Sequence, residues 1–475
     1  MAKIIGREEE IAVLKSLQDE DQSAFVAVYG RRRVGKTFLI RSFYDNQFAF
    51  YLTGIANVET TNQLTNFHSA LVRQFSELED NPVAKDWFQA FQQLMTAIES
   101  LPNSGKKVLF FDELPWLDTP NSLFISALEH FWNSWASART DIVLIVCGSA
   151  ASWMINELIN NRGGLHNRIT ERIVLQPFNL LETEQFLRTK GAVYTRYQLL
   201  ELYMAMGGIP YYLENVLVNR SVAQNIDRMF FTPGGVLNVE YDNLFRSLFD
   251  KYDRHIAVIE ALIQKSKGMI RKEMLASAKL KDGGTATQIL DELEKSGFIR
   301  KYFPFGKARR EVFYQLIDPF SLFYLTFIKD SKAEGQGAWL KQINSPKWRT
   351  WSGYAYEYIC RYHLDGIKKE LGISGVYTEV SAWRSKESEK GAQIDLIIDR
   401  NDRVINICEI KFSIEKFNIT KPYSENLSNK LSAFRTETGT NKTLFLTMIT
   451  TFGLKPNQYV QQLVNDSLDM NALFQ

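Results

Sequence analysis

The stretch Gly-Arg-Arg-Arg-Val-Gly-Lys-Thr at residues 30–37 decides the fold of the first part of this chain. It matches the pattern G-x-x-x-x-G-K-[ST], in which the backbone N–H groups of a glycine-rich loop surround phosphate oxygens. Residues 25–29 before it are an apolar run typical of a buried parallel strand, and residues 38–44 after it contain neither Gly nor Pro. The order strand, P-loop, helix is therefore predicted, with the phosphates at the helix N-terminus.

The motif gives its side chains distinct roles. Gly30 and Gly35 permit the tight turn, Lys36 reaches the β- and γ-phosphates, and Thr37 supplies a hydroxyl to Mg²⁺. ATP and Mg²⁺ are therefore the predicted cofactors, and Lys36 is also a candidate catalytic residue. The other predicted nucleotide-binding residues of this segment are Arg31, Arg32, Arg33, Val34 and Phe38.

Composition limits the class of protein. The chain has 475 residues, enough for roughly three domains, and its net charge of +2 excludes a molecule-wide attraction to DNA or to membranes. Its three cysteines lie far apart, and Cys147 and Cys408 sit in apolar runs that predict buried side chains. We find no run long enough to span a bilayer and no signal-peptide pattern at the N-terminus, so a cytoplasmic protein without a membrane partner is predicted.

A second motif, Val-Leu-Phe-Phe-Asp-Glu, occupies residues 108–113. Its apolar part predicts a buried strand, and its two carboxylates fall at the carboxyl end, where open α/β sheets bind ligands. Asp112 is placed to hold Mg²⁺ through water, and Glu113 to orient or deprotonate the attacking water. The spacing from the P-loop strengthens this interpretation.

Two further elements of the first domain have competing interpretations. The apolar run at residues 141–146 predicts another strand, after which Ser149 either approaches the γ-phosphate or caps the next helix. Three arginines, Arg162, Arg168 and Arg172, are candidates for stabilising transition-state charge within the subunit or across an interface, and Arg168 is favoured. The alternative is a surface arginine.

The N-terminal segment and the region after the P-loop are less specific. Residues 4–17 predict a glycine turn and an amphipathic helix, which either lies against the adenine or is a plain first helix. A strand at 48–52 and a helical region at about 60–100 follow, the latter with Phe67, Leu71 and Phe75 on one face.

The motif order resembles the archaeal-type ATPase family, within the AAA-related STAND group of signal-transduction NTPases. That order is P-loop, Asp-Glu strand, Ser-ended strand, arginine loop and then Gly-Gly-Ile-Pro-Tyr-Tyr at residues 207–212. The resemblance implies a helical lid whose Gly-x-Pro element lies near the nucleotide, which makes Pro210 a candidate nucleotide-binding residue. It covers about the first 345 residues. From the residues alone, Gly-Gly-x-Pro ends one helix and begins another.

Residues 254–325 predict three helices and a strand hairpin, which is a winged-helix pattern. The third helix carries Asp291, Glu292 and Glu294, and these carboxylates would repel phosphates. A basic wing could contact a nucleic-acid backbone: Lys307, Arg309 and Arg310. The alternative is a packing module between the ATPase and the C-terminus.

A third constellation lies at residues 391–412, where two predicted strands flank turn residues 399–402. The hairpin would bring Asp395 close to Glu409, and Glu409 and Lys411 would share one face of the second strand. Two charges in so apolar a strand are costly to bury unless they have a function or partners.

Asp395, Glu409 and Lys411 resemble the PD-(D/E)xK nuclease-like pattern. The resemblance implies that the two carboxylates bind Mg²⁺ and that the lysine positions or activates water, with Glu357 as the further acid of a preceding helix. Gln393-Ile394 stands where the family pattern has Pro. The alternative is an ion pair in a fold that has lost activity.

Together these features predict an α/β protein: a parallel P-loop NTPase sheet with a helical lid, then an all-α/winged-helix module and a small α/β nuclease-like domain. The predicted domains are 1–180, 181–250, 251–330, a linker at 331–345, and 346–475. The predicted function is an ATP-hydrolysing switch coupled to a nuclease-like domain that acts on DNA or RNA. An ATP-gated scaffold and a DNA-remodelling ATPase are the alternatives, and an arginine acting between subunits would require a homo-oligomer.

Overall fold

The first strand, β1 (Ala24–Gly30), is an apolar segment that is almost entirely buried, and it leads directly into the predicted phosphate-binding loop. The computed structural model describes residues 3–102, 104–160, 164–165, 167–249, 251–265, 267–306, 312–331, 335, 337–385 and 392–475. The chain divides into two units, Met1–Pro177 and Phe178–Gln475.

The first unit is an α/β unit. Its strands are β1, β2 (Phe50–Thr53), β3 (Lys107–Asp112), β4 (Ile142–Gly148) and β5 (Glu171–Leu175). Its helices are α1 (Glu8–Asp19), α2 (Lys36–Phe43), α3 (Thr60–Gln74), α4 (Trp87–Glu99), α5 (Phe124–Ser134) and the short α6 (Ala151–Trp153), which continues as a π-helix at Met154–Ile159. Short 3₁₀ helices lie at Ser76–Leu78, Leu114–Trp116 and Ala136–Ala138.

The strands form one parallel sheet in the order β2-β3-β4-β1-β5. β3 and β4 are buried along their whole length, which explains their continuous apolar sequences. Because the strands are parallel, the carboxyl ends of β1, β3 and β4 meet at one edge of the sheet. The predicted parallel sheet is confirmed.

The helical region predicted at about 60–100 is present but interrupted in its middle. The chain leaves the helical path after Gln74, and Asp86 begins a new helix because its side chain accepts the N–H of Gln89 at 2.8 Å. Both helices still pack their apolar faces into the aromatic core of the sheet, where Phe67 lies 5.8 Å from Trp87 between ring centroids.

The second unit begins with helices and contains two sheets. Its helices are α7 (Leu180–Thr189), α8 (Arg196–Met206), α9 (Pro210–Glu214), α10 (Val222–Ile226), α11 (Glu240–Leu248), α12 (Tyr252–Ile263), α13 (Arg271–Ser277), α14 (Gly284–Lys295), α15 (Pro319–Phe327), α16 (Ala338–Gln342), α17 (Pro346–Tyr362), α18 (Leu364–Glu370), α19 (Lys421–Thr438) and α20 (Gln458–Leu463). A π-helix lies at Asp227–Phe231 and a 3₁₀ helix at Met470–Leu473.

Three short strands form a small antiparallel sheet in the order β6-β8-β7: β6 (Met269–Ile270), β7 (Ile299–Tyr302) and β8 (Phe313–Leu316). With α12, α13 and α14 they make up what we call the central module, residues 252–316. The predicted three helices and two strands are present, and β6 is an additional strand. The predicted wing residues Lys307, Arg309 and Arg310 lie outside the described residues.

The C-terminal sheet has the order β13-β12-β11-β10-β9: β9 (Thr378–Arg384), β10 (Gln393–Arg400), β11 (Val404–Lys411), β12 (Thr443–Thr450) and β13 (Asp466–Leu468). β9, β10 and β11 pair antiparallel, whereas β11, β12 and β13 pair parallel. The apolar face of this sheet packs on α19, through Leu427 and Phe434 among others.

The predicted linker at 331–345 contains a packed helix, α16. Its Trp339 is buried, and the tryptophan ring lies 5.0 Å from that of Phe323 on α15 and 5.7 Å from that of Trp351 on α17, measured between centroids. This part of the segment is therefore anchored in an aromatic cluster of the second unit.

The cysteine prediction is confirmed. All three cysteines of the chain are free thiols with buried side chains, Cys147 and Cys408 among them. Within the described ranges, no helix is both long and apolar enough to cross a membrane.

Candidate functional site

The P-loop joins β1 to α2 in a conformation that its glycines make possible. Gly30 has φ 147° and Gly35 has φ 93°. A Cβ atom on Gly30 would lie 2.2 Å from the carbonyl oxygen of Leu175, so the close approach of β5 excludes any larger residue there. Lys36 is buried, and its Nζ donates to the carbonyl oxygens of Gly30 at 3.1 Å and Arg31 at 3.0 Å. The lysine amino group therefore lies within the loop.

The carboxyl end of β3 supplies two carboxylates to the same edge of the sheet. Thr37 Oγ1 donates to Asp112 Oδ2 at 2.8 Å, which places together the two residues predicted to hold Mg²⁺. Both groups are oxygen donors, the ligands that Mg²⁺ prefers. Burial raises the pKa of Asp112, and the Thr37 hydroxyl opposes that shift. Burial likewise lowers the pKa of Lys36, so both groups favour a counter-charge.

Glu113 is held by Ser149 from the neighbouring strand. Ser149 Oγ donates to Glu113 Oε1 at 2.8 Å, and the Ser149 N–H donates to Glu113 Oε2 at 3.3 Å. Glu113 itself has φ 49°, an uncommon left-handed conformation for a residue with a side chain. The alternative in which Ser149 caps the next helix is wrong, because Ala150 precedes α6 and no side chain caps it.

The remaining predicted residues of the loop differ in exposure. Arg31 and Val34 are buried, whereas Phe38 is 47% exposed at the start of α2. A residue that was not predicted, Arg7, also reaches the loop: its guanidinium donates to the carbonyl oxygens of Val34 at 3.4 Å and Gln176 at 2.8 Å. This residue ties the N-terminal turn to the P-loop. Its only signal in the sequence was the glycine turn at residues 4–17.

Arg168, the favoured arginine, lies near the amino end of β1, whereas the P-loop follows the carboxyl end of β1. Thr170, which follows it by two positions, bonds the Phe25 carbonyl at the amino end of β1, whereas Gly30 at the carboxyl end of β1 pairs with Leu175. Five residues of strand separate these pairs, which is about 16 Å. Arg168 is therefore placed away from the P-loop of its own chain, and a surface arginine and an arginine that acts across an interface are the two interpretations that remain. Arg162 lies outside the described residues.

Pro210 is the first residue of α9 in the second unit, directly after Gly207, Gly208 and Ile209. A Cβ atom on Gly208 would lie 1.8 Å from the Phe178 carbonyl oxygen, and Phe178 N donates to the Gly208 carbonyl at 2.7 Å. Gly208 is thus required for close backbone packing between the start of the unit and α9. Contact of Pro210 with a nucleotide stays a prediction.

A second cluster of charged side chains lies on β10 and β11. The antiparallel register pairs Leu396 with Cys408, which puts Asp395 opposite Glu409. Lys411 Nζ lies 3.0 Å from Glu409 Oε1, as expected for two residues on one face of a strand. The structure therefore brings together Asp395, Glu409 and Lys411.

Two residues of α19 that were not predicted complete the surroundings of Glu409. Lys430 Nζ donates to Glu409 Oε2 at 2.7 Å, and Tyr423 OH donates to Oε1 at 2.6 Å. Burial raises the pKa of this carboxyl, but the two lysines and the tyrosine outweigh burial and lower its pKa to about 2. Neither partner belongs to a local motif, so their signal in the sequence was weak.

Glu357 on α17 belongs to the same electrostatic cluster. Burial raises its pKa to about 8, the negative charge of Asp395 adds to the shift, and Lys267 and Lys411 oppose it. Lys267, from the central module, was also not predicted: its Nζ lies 2.7 Å from each carboxylate oxygen of Asp395. This residue lies 128 positions from its partner.

The predicted metal set of Asp395, Glu409 and Glu357 is not assembled as a metal site. Across the residues that the structure describes, no group of three or more His, Cys, Asp or Glu side chains could hold a metal ion. The physical reason is that Asp395 and Glu409 both face lysine amino groups, which occupy the positions a cation would take. The oxygen donors themselves suit Mg²⁺, provided that a lysine is displaced.

Comparisons with known proteins find similarity for the first unit and for part of the second. A family model described as an ATPase domain predominantly from Archaea matches residues 4–216. The uncharacterised protein MJECL04 of Methanocaldococcus jannaschii is 24% identical over 432 residues, which are 90% of this chain and 91% of that protein. The uncharacterised ATP-binding protein MJ0423 of the same organism is 42% identical over 43 residues, 9% of this chain and 73% of that protein.

Among solved structures, the Walker-type ATPase PABY2304 of Pyrococcus abyssi is similar with a TM-score of 0.47 and 17% identity. The match covers 67% of this chain and 95% of that chain. The motifs, the parallel sheet and the family match agree with one another. Residues 4–216 of this chain are therefore similar to ATPase domains found predominantly in Archaea.

Proposed function

We propose that this protein is an ATP-hydrolysing switch whose nucleotide state controls a C-terminal, metal-dependent nuclease. The observation that carries the first part is the convergence of the P-loop with the ends of β3 and β4. Lys36 and the loop backbone would bind the phosphates, and Thr37 and Asp112 would hold Mg²⁺. When bound, Mg²⁺ neutralises charge on the phosphate oxygens. Glu113, fixed by Ser149, would orient the attacking water.

The test of ATP hydrolysis is the substitution Lys36→Ala, with Lys15→Ala as the matched control because Lys15 is exposed on α1. We expect Lys36→Ala to lose ATP binding and hydrolysis, and the control to behave as wild type. Wild-type hydrolysis in Lys36→Ala would refute the proposal. Dependence of the rate on protein concentration would support action of Arg168 across a homo-oligomeric interface.

Several contacts within the second unit support control of the C-terminal domain by the proposed helical lid, residues 181–250. Just before the lid, the N–H of Leu180 donates to His363 Nε2 at 2.8 Å at the end of α17. The ring of Tyr197 on α8 stacks on Phe412, 6.0 Å between centroids, and Phe412 directly follows Lys411. Movement of the lid would therefore be transmitted to β11, the strand that carries the candidate catalytic residue Lys411.

For the central module, the contacts favour a packing role over direct nucleic-acid binding. Each of the three carboxylates of α14 has a basic partner: Asp291 pairs with Lys295, Glu294 with Lys301, and Glu292 with the imidazole of His255. The helix therefore presents compensated charge, which neither attracts nor strongly repels phosphates. We propose the remaining boundaries as predicted: central module within 251–330, linker at 331–345 and nuclease-like domain at 346–475.

In the nuclease-like domain, Asp395 and Glu409 would hold Mg²⁺, and Lys411 would position the attacking water. Glu357 would serve as a further acid. The observation in favour is that these groups lie on two neighbouring strands and the helix beside them and share their electrostatic field. The substrate would be DNA or RNA, since hydrolysis of a phosphodiester is the reaction that such a set performs.

The test is to incubate the full chain with linear DNA, circular DNA and RNA, with and without Mn²⁺ and ATP. Glu409→Gln should abolish cutting, whereas Glu415→Gln should not, because Glu415 is exposed and pairs with Lys455 on the surface. Absence of cutting under every condition, both by wild type and by a variant in which Lys267 no longer faces Asp395, would refute the nuclease. The remaining interpretation would be an ATP-gated scaffold, in which the lysines on Asp395 and Glu409 are permanent structural partners.

A further inference from the structure

Lys267 reaches the candidate nuclease site from a different module. It lies in the turn between α12 and β6, and its amino group is 2.7 Å from both oxygens of Asp395. Gln393 Nε2 donates to Oδ1 of the same carboxylate at 2.8 Å. Both oxygens of Asp395 thus accept hydrogen bonds from protein donors. A cation bound by this carboxylate would have to take the place of the Lys267 ammonium.

The turn that carries Lys267 is shaped to hold it there. Tyr302 OH donates to the Lys267 carbonyl, which fixes the backbone of the turn against β7. Gly268 has φ 87°, and a Cβ atom there would lie 2.8 Å from the Tyr314 carbonyl oxygen, so the turn packs tightly on β8. The turn therefore holds the Lys267 amino group against both oxygens of Asp395.

The central module is docked on the sheet edge beside Asp395. A β-bulge between Ile394 and Ile397 shifts the pairing of β10 with β9. Opposite this bulge, the Ala382 carbonyl accepts the N–H of Phe305 at 2.7 Å. The ring of Phe305 also packs on Phe434 of α19, 5.0 Å between centroids. Bulges commonly redirect a side chain beside a functional site, and this one also provides an attachment point for the module.

This attachment is local. Between the module and the sheet lies a cavity of about 360 Å³, lined by Lys267, Tyr302, Phe305, Trp383 and Gln393 among others. A protein interior is normally packed without voids of this size. The contact at Asp395 is therefore bordered by a cavity, while Phe305 of the module packs on the hydrophobic core of the sheet.

We propose that Lys267 is an internal counter-ion that keeps the nuclease-like site closed, and that displacement of the central module removes it from Asp395 and admits a divalent cation. This inference rests on the proposed function of the C-terminal domain. Its basis is that an ammonium group and a metal ion repel each other when they compete for one carboxylate. Lys267 thereby couples the position of the module to metal loading.

The direct test is Mn²⁺ binding to the nucleotide-free full chain, measured by electron paramagnetic resonance. All variants carry Asp112→Asn, which removes the candidate metal ligand of the P-loop. The site in question is defined as the binding that Asp395→Asn abolishes. We expect Lys267→Met to bind Mn²⁺ at least about tenfold more tightly than the parent, and Lys267→Arg, which keeps the charge, to bind as weakly as the parent.

A second variant tests the docking of the central module on the sheet rather than the charge of Lys267. Phe305→Ala leaves Lys267 in place but removes the ring that packs on Phe434, so we expect an affinity between those of the parent and Lys267→Met. Phe305→Ala also decides the matter if Lys267→Met fails to fold. Unchanged Mn²⁺ affinity in the folded variants would overturn the inference.

The same variants separate this inference from the nuclease itself. In the Asp112-intact chain, more cutting by Lys267→Met than by wild type supports both proposals. Tighter Mn²⁺ binding without cutting by any variant supports the counter-ion and refutes the nuclease. Cutting by wild type that is lost in Lys267→Met would overturn the inference, because Lys267 would then act on the substrate.

Discussion

Replacing Ser149 with alanine should slow ATP hydrolysis without preventing ATP binding. Ser149 donates to both oxygens of Glu113, at 2.8 Å from its hydroxyl and 3.3 Å from its N–H. The substitution removes only the hydroxyl contact, since the backbone N–H remains. Glu113 would then keep its place after β3 but lose the shorter of its two hydrogen bonds.

The magnitude follows from the kind of bond that is lost. A hydrogen bond to a charged group contributes about 1.5–3 kcal/mol, and about 1.4 kcal/mol corresponds to a tenfold change in rate. We therefore expect kcat to fall by about tenfold to a hundredfold, with KM for ATP little changed. The bond orients the carboxylate rather than binding the nucleotide, so its loss should lower kcat and leave KM nearly unchanged.

The assay is steady-state release of phosphate at saturating ATP and Mg²⁺. Ser16→Ala is the matched control, because Ser16 is exposed on α1 and its hydroxyl bonds the nearby Val13 carbonyl. Ser149→Thr should restore part of the rate, since threonine keeps the hydroxyl. Glu113→Gln should reduce kcat further than Ser149→Ala does.

The double variant of Ser149→Ala and Glu113→Gln gives the sharper test. If Ser149 acts through Glu113, the serine substitution should have little further effect once the carboxylate is gone. Additive losses in the double variant, or a wild-type kcat in Ser149→Ala, would refute this account of the site.

Three further predictions concern stability and nucleotide affinity. Gly208→Ala should destabilise the second unit by more than about 3 kcal/mol in urea unfolding, because its Cβ would overlap a carbonyl oxygen, whereas Gly284→Ala, with open space around it, should be close to neutral. Burial lowers the pKa of His363 to about 4, below its unfolded value of about 6.5. The contribution of His363 to the free energy of unfolding is therefore full above pH 6.5 and is lost as the pH falls toward 4. The stability advantage of wild type over His363→Gln should shrink by about 2 kcal/mol between pH 7.5 and 5. Arg7→Ala should weaken ATP binding about tenfold in calorimetry, because two hydrogen bonds beside the P-loop are lost, while Glu10→Gln should bind ATP normally.

The P-loop and the Asp-Glu strand were predictable because their chemistry is local. A run of apolar residues, two glycines at a fixed spacing and a lysine are enough to specify strand, loop and helix. The meeting of Asp112 and Thr37 was also predictable, because parallel strands align their carboxyl ends. The outcome is the 2.8 Å contact between these side chains.

The sequence-based prediction failed once for a local reason and elsewhere because the outcome depends on distant packing. The helical region predicted at about 60–100 is interrupted where the sequence itself carries the breaker Asp80-Asn81-Pro82, between the end of α3 at Gln74 and the cap of α4 at Asp86. Arg168 precedes β5, and the parallel pairing of β5 with β1 puts it near the amino ends of these strands. This pairing joins segments that are far apart in the sequence, and local periodicity does not specify it.

Partners of the C-terminal carboxylates were missed for the same reason. Lys430 and Tyr423 lie on a helix after the hairpin, and Lys267 lies 128 residues before Asp395. Buried charges need partners or a function, and this much was evident from the sequence. No local pattern distinguishes the actual partners among the chain's 56 Lys and Arg residues.

The three lysines of this cluster differ in how they are attached, and that difference locates control at one carboxylate. Lys411 is on the same strand as Glu409, and Lys430 is on α19, which packs on that sheet. Both lysines therefore belong to the same domain as Glu409, whatever the position of the central module. Lys267 belongs to the central module and meets the sheet beside a cavity, so it can leave Asp395 when the module moves. Displacement of the central module would therefore alter the charge around Asp395 while leaving Glu409 in place.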